Sequence, residues 1–160
     1  MKVKKTGTVY EITLDGPVGE GSSLFNHDVR DASKIVIDGE KMTYINSIGV
    51  KNWILWTVRV PAKSPFILQK LPLVMINQAS TVKGFLPRHA RVESFYAPFV
   101  CPSCNLEKSV LFQLGQEYDY ASAGQPRRVT LPKKDCPKCK AEMEPDFIEG
   151  KTFTFLNEPT

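Results

Sequence analysis

The chain has no apolar run approaching the roughly 18 residues of a membrane span. It opens Met1-Lys2-Val3-Lys4-Lys5 and passes into alternating polar and apolar residues, where a secretory leader would carry a hydrophobic stretch. A cytoplasmic, reducing setting is therefore expected. Histidine is scarce. His27 lies in a Gly- and Asn-rich stretch and His89 sits beside Arg88 and Arg91, with no motif linking either to a nucleophile, so both are read as surface histidines and no enzyme is expected. The stretch Gly16 to Ser23 lacks both phosphate-loop spacings, G-x-x-x-x-G-K-[ST] and G-x-G-x-x-G, and is read as a plain turn. Neither sign of charge dominates: 21 Lys and Arg face 17 Asp and Glu, a balance that neither demands nor excludes nucleic acid.

Cysteine is limited to four, and none is spare. They fall into Cys101-Pro102-Ser103-Cys104 and Cys136-Pro137-Lys138-Cys139, with 31 residues between the pairs. A Cys-x-x-Cys turn sets two sulfurs on one side of a tight knuckle, and two knuckles face to face supply the four thiolates of a closed structural zinc site. Disulfides do not suit a reducing compartment, and a redox Cys-x-x-Cys normally occurs once, at a helix start. Iron is the minority choice, since rubredoxin-type sites use similar knuckles. Those usually carry Gly after the second Cys; here Asn105 and Lys140 stand there, and only Asn takes a left-handed backbone easily, so zinc is expected. A closed four-sulfur site keeps no ligand position open for water, which also disfavours metal hydrolysis.

With 160 residues, 42% hydrophobic and 24% charged, the chain can form an ordinary core or a small domain with a metal-stapled appendage. Val3 to Leu14 alternates as one strand that Asp15-Gly16-Pro17 ends; Lys34 to Ile45 is a β-branched strand. Ile48 to Val60 follows as a helix capped by Asn46 or Ser47, with Val50, Trp53, Ile54, Thr57 and Val58 on its buried face and Leu55 and Trp56 on a second flank. That flank needs cover, from the metal-bearing segment or from a partner. Phe66 to Leu71 reads as a strand, Pro72 to Ser80 as a short helix and Arg91 to Tyr96 as a last strand. Gln116 to Pro132 reads as a hairpin tip, and Lys151 to Leu156 as a closing strand whose aromatics pack on the metal-bearing unit. The fold class is thus α/β, a small sheet with helices on one face followed by a four-cysteine, metal-binding β appendage. The expected division is 1–97 and 98–160.

The turn Asn46-Ser47-Ile48-Gly49-Val50, between a β-branched strand and a helix, resembles the Asp-Ser-x-Gly-Leu/Val turn of STAS domains, the family of anti-sigma factor antagonists and sulfate-transporter tails. The likeness covers about the first 97 residues. It departs in two places: Gly19 to Ser33 is too short for the family's first helix, and Asn46 replaces the family's Asp. The second half is similar to zinc ribbons through its four cysteines alone. The resemblance implies a non-enzymatic regulator that binds another protein, such as an anti-sigma or histidine-kinase-like ATPase, through Asn46, Ser47, Ile48, Gly49 and Lys51. Phosphorylation of Ser47 would switch the partner; the simpler role for Ser47 is a helix cap. Gly49 is expected to admit close approach, by a partner or by the adjacent chain. The alternative is a nucleic-acid-binding ribbon, in which Arg127, Arg128, Lys133, Lys134, Lys138 and Lys140 contact phosphates while Tyr118 and Tyr120 stack on bases.

Overall fold

The computed structural model describes residues 1–157. Its first element is a hairpin where one strand was expected. β1 (Lys2–Thr6) turns at Gly7, whose φ of 59° is open to glycine at little cost, and returns antiparallel as β2 (Val9–Val18). Nor does Asp15-Gly16-Pro17 end the strand. β2 continues through two register shifts to Val18, with Gly16 at φ 79° absorbing the irregularity.

The next strands follow the apolar pattern more closely. β3 (Lys34–Ile45), β4 (Phe66–Gln69) and β5 (Ala90–Val92) add in chain order, each parallel to its predecessor, giving the five-stranded mixed sheet β1-β2-β3-β4-β5. Parallel neighbours need crossovers. They are supplied by the segment 19–33, by α1 (Ser47–Thr57) and by α2 (Leu73–Thr81). Segment 19–33 holds only one 3-10 turn, Ser23–Asn26, with no full helix; it is anchored by buried Leu24, Val29 and Ala32.

One face of the sheet is sealed. Tyr10, Ile12 and Leu14 of β2, Ile35 and Ile37 of β3 and Phe66 and Leu68 of β4 alternate inward. Trp53 of α1 packs over them, its ring 6.3 Å from Phe66 and 5.7 Å from Phe85, and its indole N–H donates to the Phe85 carbonyl at 2.9 Å.

The strand expected over Arg91–Tyr96 divides at Glu93. β5 stays in the first sheet, while β6 (Ser94–Val100) leaves it to pair with β7 (Glu107–Gln113) over seven residues. β8 (Tyr118–Asp119) and β9 (Arg128–Val129) make a small hairpin, and β10 (Glu144–Pro145) completes the sheet β10-β6-β7. The division expected at 97/98 falls inside β6. Lys151 to Leu156 is no strand: a helical turn, α3 (Glu149–Thr152), runs into a 3-10 turn, Phe153–Leu156. Its aromatics still pack on the ribbon as expected, Phe153 at 5.9 Å from Phe112 and Phe155 at 6.1 Å from Tyr118, and both also reach Phe95 of β6 at 5.9 Å. No helix among the described residues is long and apolar enough to cross a membrane.

Candidate functional site

The four cysteines converge. Their sulfurs all lie within 4.8 Å of one another, with Cys101 Sγ 3.4 Å from Cys139 Sγ and Cys104 Sγ 3.5 Å from Cys136 Sγ. A disulfide requires about 2.05 Å; all four are free thiols. A tetrahedral cage with metal–sulfur bonds of about 2.3 Å places its sulfurs ~3.8 Å apart, close to this spacing.

The two knuckles have one backbone plan. In the first, the Cys101 N–H donates to the Leu106 carbonyl at 2.9 Å and the Asn105 N–H to the Cys101 carbonyl at 2.9 Å. In the second, the Cys136 N–H donates to Ala141 at 2.8 Å and the Lys140 N–H to Cys136 at 2.9 Å. Both turns close through a left-handed residue, Asn105 at φ 58° and Lys140 at φ 67°. The reluctance expected of Lys140 is thus overridden by turn closure, and residue type at these positions no longer separates zinc from iron.

That plan aims amide N–H groups at sulfur. The amides of Cys104 and Ser103 donate to Cys101, that of Leu106 to Cys104, those of Cys139 and Lys138 to Cys136, and that of Ala141 to Cys139. The Cys139 amide, acting against burial, is the largest influence that brings the Cys136 thiol down to about 6. The Leu106 amide pulls Cys104 the same way, yet burial and the three neighbouring sulfurs outweigh it and push that thiol up to about 12. Some sulfurs ionise readily and the rest are held back by them, so full ionisation calls for a cation among the four. An all-sulfur set with amide-supported thiolates fits a thiophilic ion of the zinc or iron type.

The second expected site is the start of α1. Asn46 is the cap: its Oδ1 accepts the Gly49 N–H at 2.7 Å. Ser47 is therefore freed from capping and lies exposed in the first turn, with Ile48 and Lys51 exposed beside it. Gly49 is buried because the chain itself approaches. A Cβ there would stand 2.2 Å from the Val18 carbonyl oxygen, at the end of β2, and 2.9 Å from Ile45 Cγ1.

The flanks of α1 differ from the expected pattern. Trp56 is buried, donating its indole N–H to the His27 carbonyl at 3.0 Å, so its cover comes from segment 19–33 and not from the metal-bearing unit. Val58, expected to face inward, is 66% exposed; Leu55 is 56% exposed and Ile48 45%. Residues 48, 51, 55 and 58 recur at helical spacing and form one outward stripe, with Tyr44, 52% exposed, two residues before the cap. Val58, expected with the inner face, keeps helical backbone angles and follows Leu55 by three residues, so it shares the outward side of that residue.

The tyrosines and two of the cations of the nucleic-acid reading are engaged within the protein. Tyr118 is buried and donates its hydroxyl to the Val92 carbonyl at 2.6 Å; the Tyr120 hydroxyl accepts the Val92 N–H at 2.8 Å. Arg128 pairs with Asp119 at 2.6 Å, and Arg127 donates to the Phe153 carbonyl. His89, expected at the surface, is partly buried against Phe66, and its Nε2 has no hydrogen-bond partner among the described residues.

Comparison of the chain with protein-family models, curated proteins and solved structures finds no match.

Proposed function

We propose that this protein is a non-enzymatic cytoplasmic regulator that works by binding another protein through the start and outer face of α1, with a structural zinc ion holding its C-terminal ribbon. The observation that carries this reading is the exposed apolar stripe Ile48, Leu55 and Val58, which rises from the exposed Ser47 and Lys51. Large side chains held outward on a well-packed helix suit a recognition surface. The resemblance of Asn46-Ser47-Ile48-Gly49-Val50 to the STAS turn points the same way and suggests an anti-sigma or histidine-kinase-like ATPase as partner. A phosphate on Ser47 would meet the free N–H groups and positive dipole of the helix start, so modification would be tolerated by the fold while changing the surface charge by nearly two units. Zinc is proposed because four thiolates with no further donor make a closed structural cage.

The test is affinity capture from the native host using Ser47→Ala, Ser47→Asp and Leu55→Glu proteins. A partner switch predicts that the two Ser47 variants retain different proteins and that Leu55→Glu loses the partner of Ser47→Ala. Identical captures from all three would remove the α1 face from the function. Metal content of the purified protein, by elemental analysis, should give one zinc per chain; iron in its place would replace the zinc assignment.

A further inference from the structure

An open cleft of about 590 Å³ lies between the end of α2, the connection from α2 to β5, and the Tyr120–Phe155 edge of the ribbon. Its lining shares no residue with the thiol cluster or the α1 stripe. The charged side chains that line it are all basic: Lys83, Arg88 and Arg91. No Asp or Glu is among the lining residues, and none of the three cations pairs with a carboxylate among the described residues.

Positive charge at a helix C-terminus has an ordinary use, the neutralising of about half a unit of dipole charge. Here that use is already in part satisfied. The Ser80 carbonyl accepts the Thr154 hydroxyl at 3.0 Å and the Gln78 carbonyl accepts the Val82 N–H at 2.8 Å. Three cations exceed what remains. The walls are also fixed to each other, since Ser80 Oγ donates in return to the Thr152 carbonyl at 2.8 Å. The floor is aromatic. Tyr120 is immobilised through its hydroxyl, the Arg91 guanidinium lies 4.8 Å from its ring centroid, and Phe155 stands edge-on beside it at 6.0 Å.

We propose that this cleft binds a phosphorylated nucleoside, with Lys83 and Arg88 taking the phosphate and the base stacking on the Arg91 guanidinium that lies over the Tyr120 ring, while Phe155, edge-on to Tyr120, bounds the site. The volume lies in the range of small-ligand sites. Cations that have no carboxylate partner among the described residues supply the anion's counter-charge, and an arginine laid on an aromatic ring offers a plane on which a base can stack. A simple inorganic anion would leave the aromatic floor unused. A free nucleotide and a nucleotide within a single strand present the same chemistry, and the test below separates them. The cleft shares no residue with the α1 surface, and its ligand is independent of any partner bound there.

The test uses the full metal-loaded chain and fluorescence polarisation with a labelled ATP, with unlabelled ATP, a short single-stranded oligodeoxythymidylate, sodium phosphate and a poly-glutamate peptide as competitors. Labelled ATP should bind, and binding should weaken as salt rises. The exposed double substitution Lys83→Ala/Arg88→Ala should weaken it about tenfold or more without changing the melting temperature materially. Arg91→Lys, which keeps the charge and removes the plane, should weaken it severalfold. Stronger competition by ATP assigns a free nucleotide, and stronger competition by the oligonucleotide assigns a strand. No binding at low salt, equal binding by the double variant, or competition by phosphate or poly-glutamate as effective as that by ATP would each overturn the proposal.

Discussion

Gly49→Ala is the sharpest perturbation the fold offers, because the added methyl has no room and the atoms in its way are backbone. The Cβ would meet the Val18 carbonyl oxygen at 2.2 Å, the Val18 carbonyl carbon at 3.0 Å and Ile45 Cγ1 at 2.9 Å. Ordinary contact begins near 3.4 Å, so the end of β2 and the first turn of α1 would have to part by about 1 Å. That movement strains two interactions at once: the Asn46 N–H to Val18 carbonyl bond, already 3.4 Å long, and the Asn46 cap on the Gly49 N–H. Overpacking costs about 1–3 kcal/mol and a lost cap about 1 kcal/mol, while replacing Gly by Ala in a helix returns at most about 1 kcal/mol. The net expectation is a loss of about 2 kcal/mol, or a fall of roughly 4–8 °C in Tm for a chain of this size. Denaturant unfolding of the metal-loaded protein measures it, with the m-value held constant. Gly21→Ala is the control, since its Cβ would meet nothing within 4 Å and its backbone is not left-handed. If Gly49→Ala proved as stable as the parent, the close packing of β2 against the helix start would be refuted.

Removing a metal from the four sulfurs with a chelator should unfold the ribbon from β6 to residue 157 and uncover Phe95, because such sites contribute on the order of 10 kcal/mol of apparent binding energy to folding; amide protection retained throughout that segment would contradict it. Lys140→Gly should raise stability by a few tenths to about 1 kcal/mol, since a left-handed Lys costs about 1–2 kcal/mol and Gly forfeits up to about 1 kcal/mol of chain entropy. Asn105→Gly should gain less, and thermal melts of both compare them. Burial lowers the His89 pKa in the folded state below its ordinary value. The unfolded chain then binds the proton more readily, so this contribution is present above the unfolded pKa near 6.5 and is lost as pH falls through the lower folded one. His89→Phe should flatten that part of the stability–pH curve, measured by denaturation from about pH 7 to about pH 5; an unchanged slope would exclude His89 as its source.

The parts legible from residue pattern were those set by local rules. Two Cys-Pro-x-Cys motifs sufficed to bring four sulfurs together, and β-branched density located β3 to the residue. α1 and α2 were placed within a few residues by Pro61, Pro72 and the run of apolar residues at helical spacing. The misses have specific causes. A lone Gly7 inside an alternating segment carried the entire β1–β2 turn, and alternation is blind to a reversal that preserves its period. Phe153 and Phe155 alternate with threonines as a strand does, yet Phe153 and Leu156, three apart, are the fully buried pair, which is the spacing of a 3-10 turn. The departure of β6 at Glu93 depends on β7, a partner some dozen residues away that no local rule brings to it. The α1 stripe was hidden by the same logic, since apolar residues on every side of a helix give no direction until its neighbours are in place.

The course of β6 has a practical bearing on dissecting this protein. Phe95, in the first half of the strand, is enclosed by rings that come almost wholly from later in the chain: Phe112, Tyr118, Phe153 and Phe155. A recombinant fragment stopping at Ala97 would cut a ladder between hydrogen-bonded rungs and leave that phenyl ring facing water, with α2 stripped of the segment it packs on. Truncates meant to isolate the N-terminal sheet would therefore be prone to aggregate, and point substitution in the intact polypeptide is the sounder way to assign roles to its two halves.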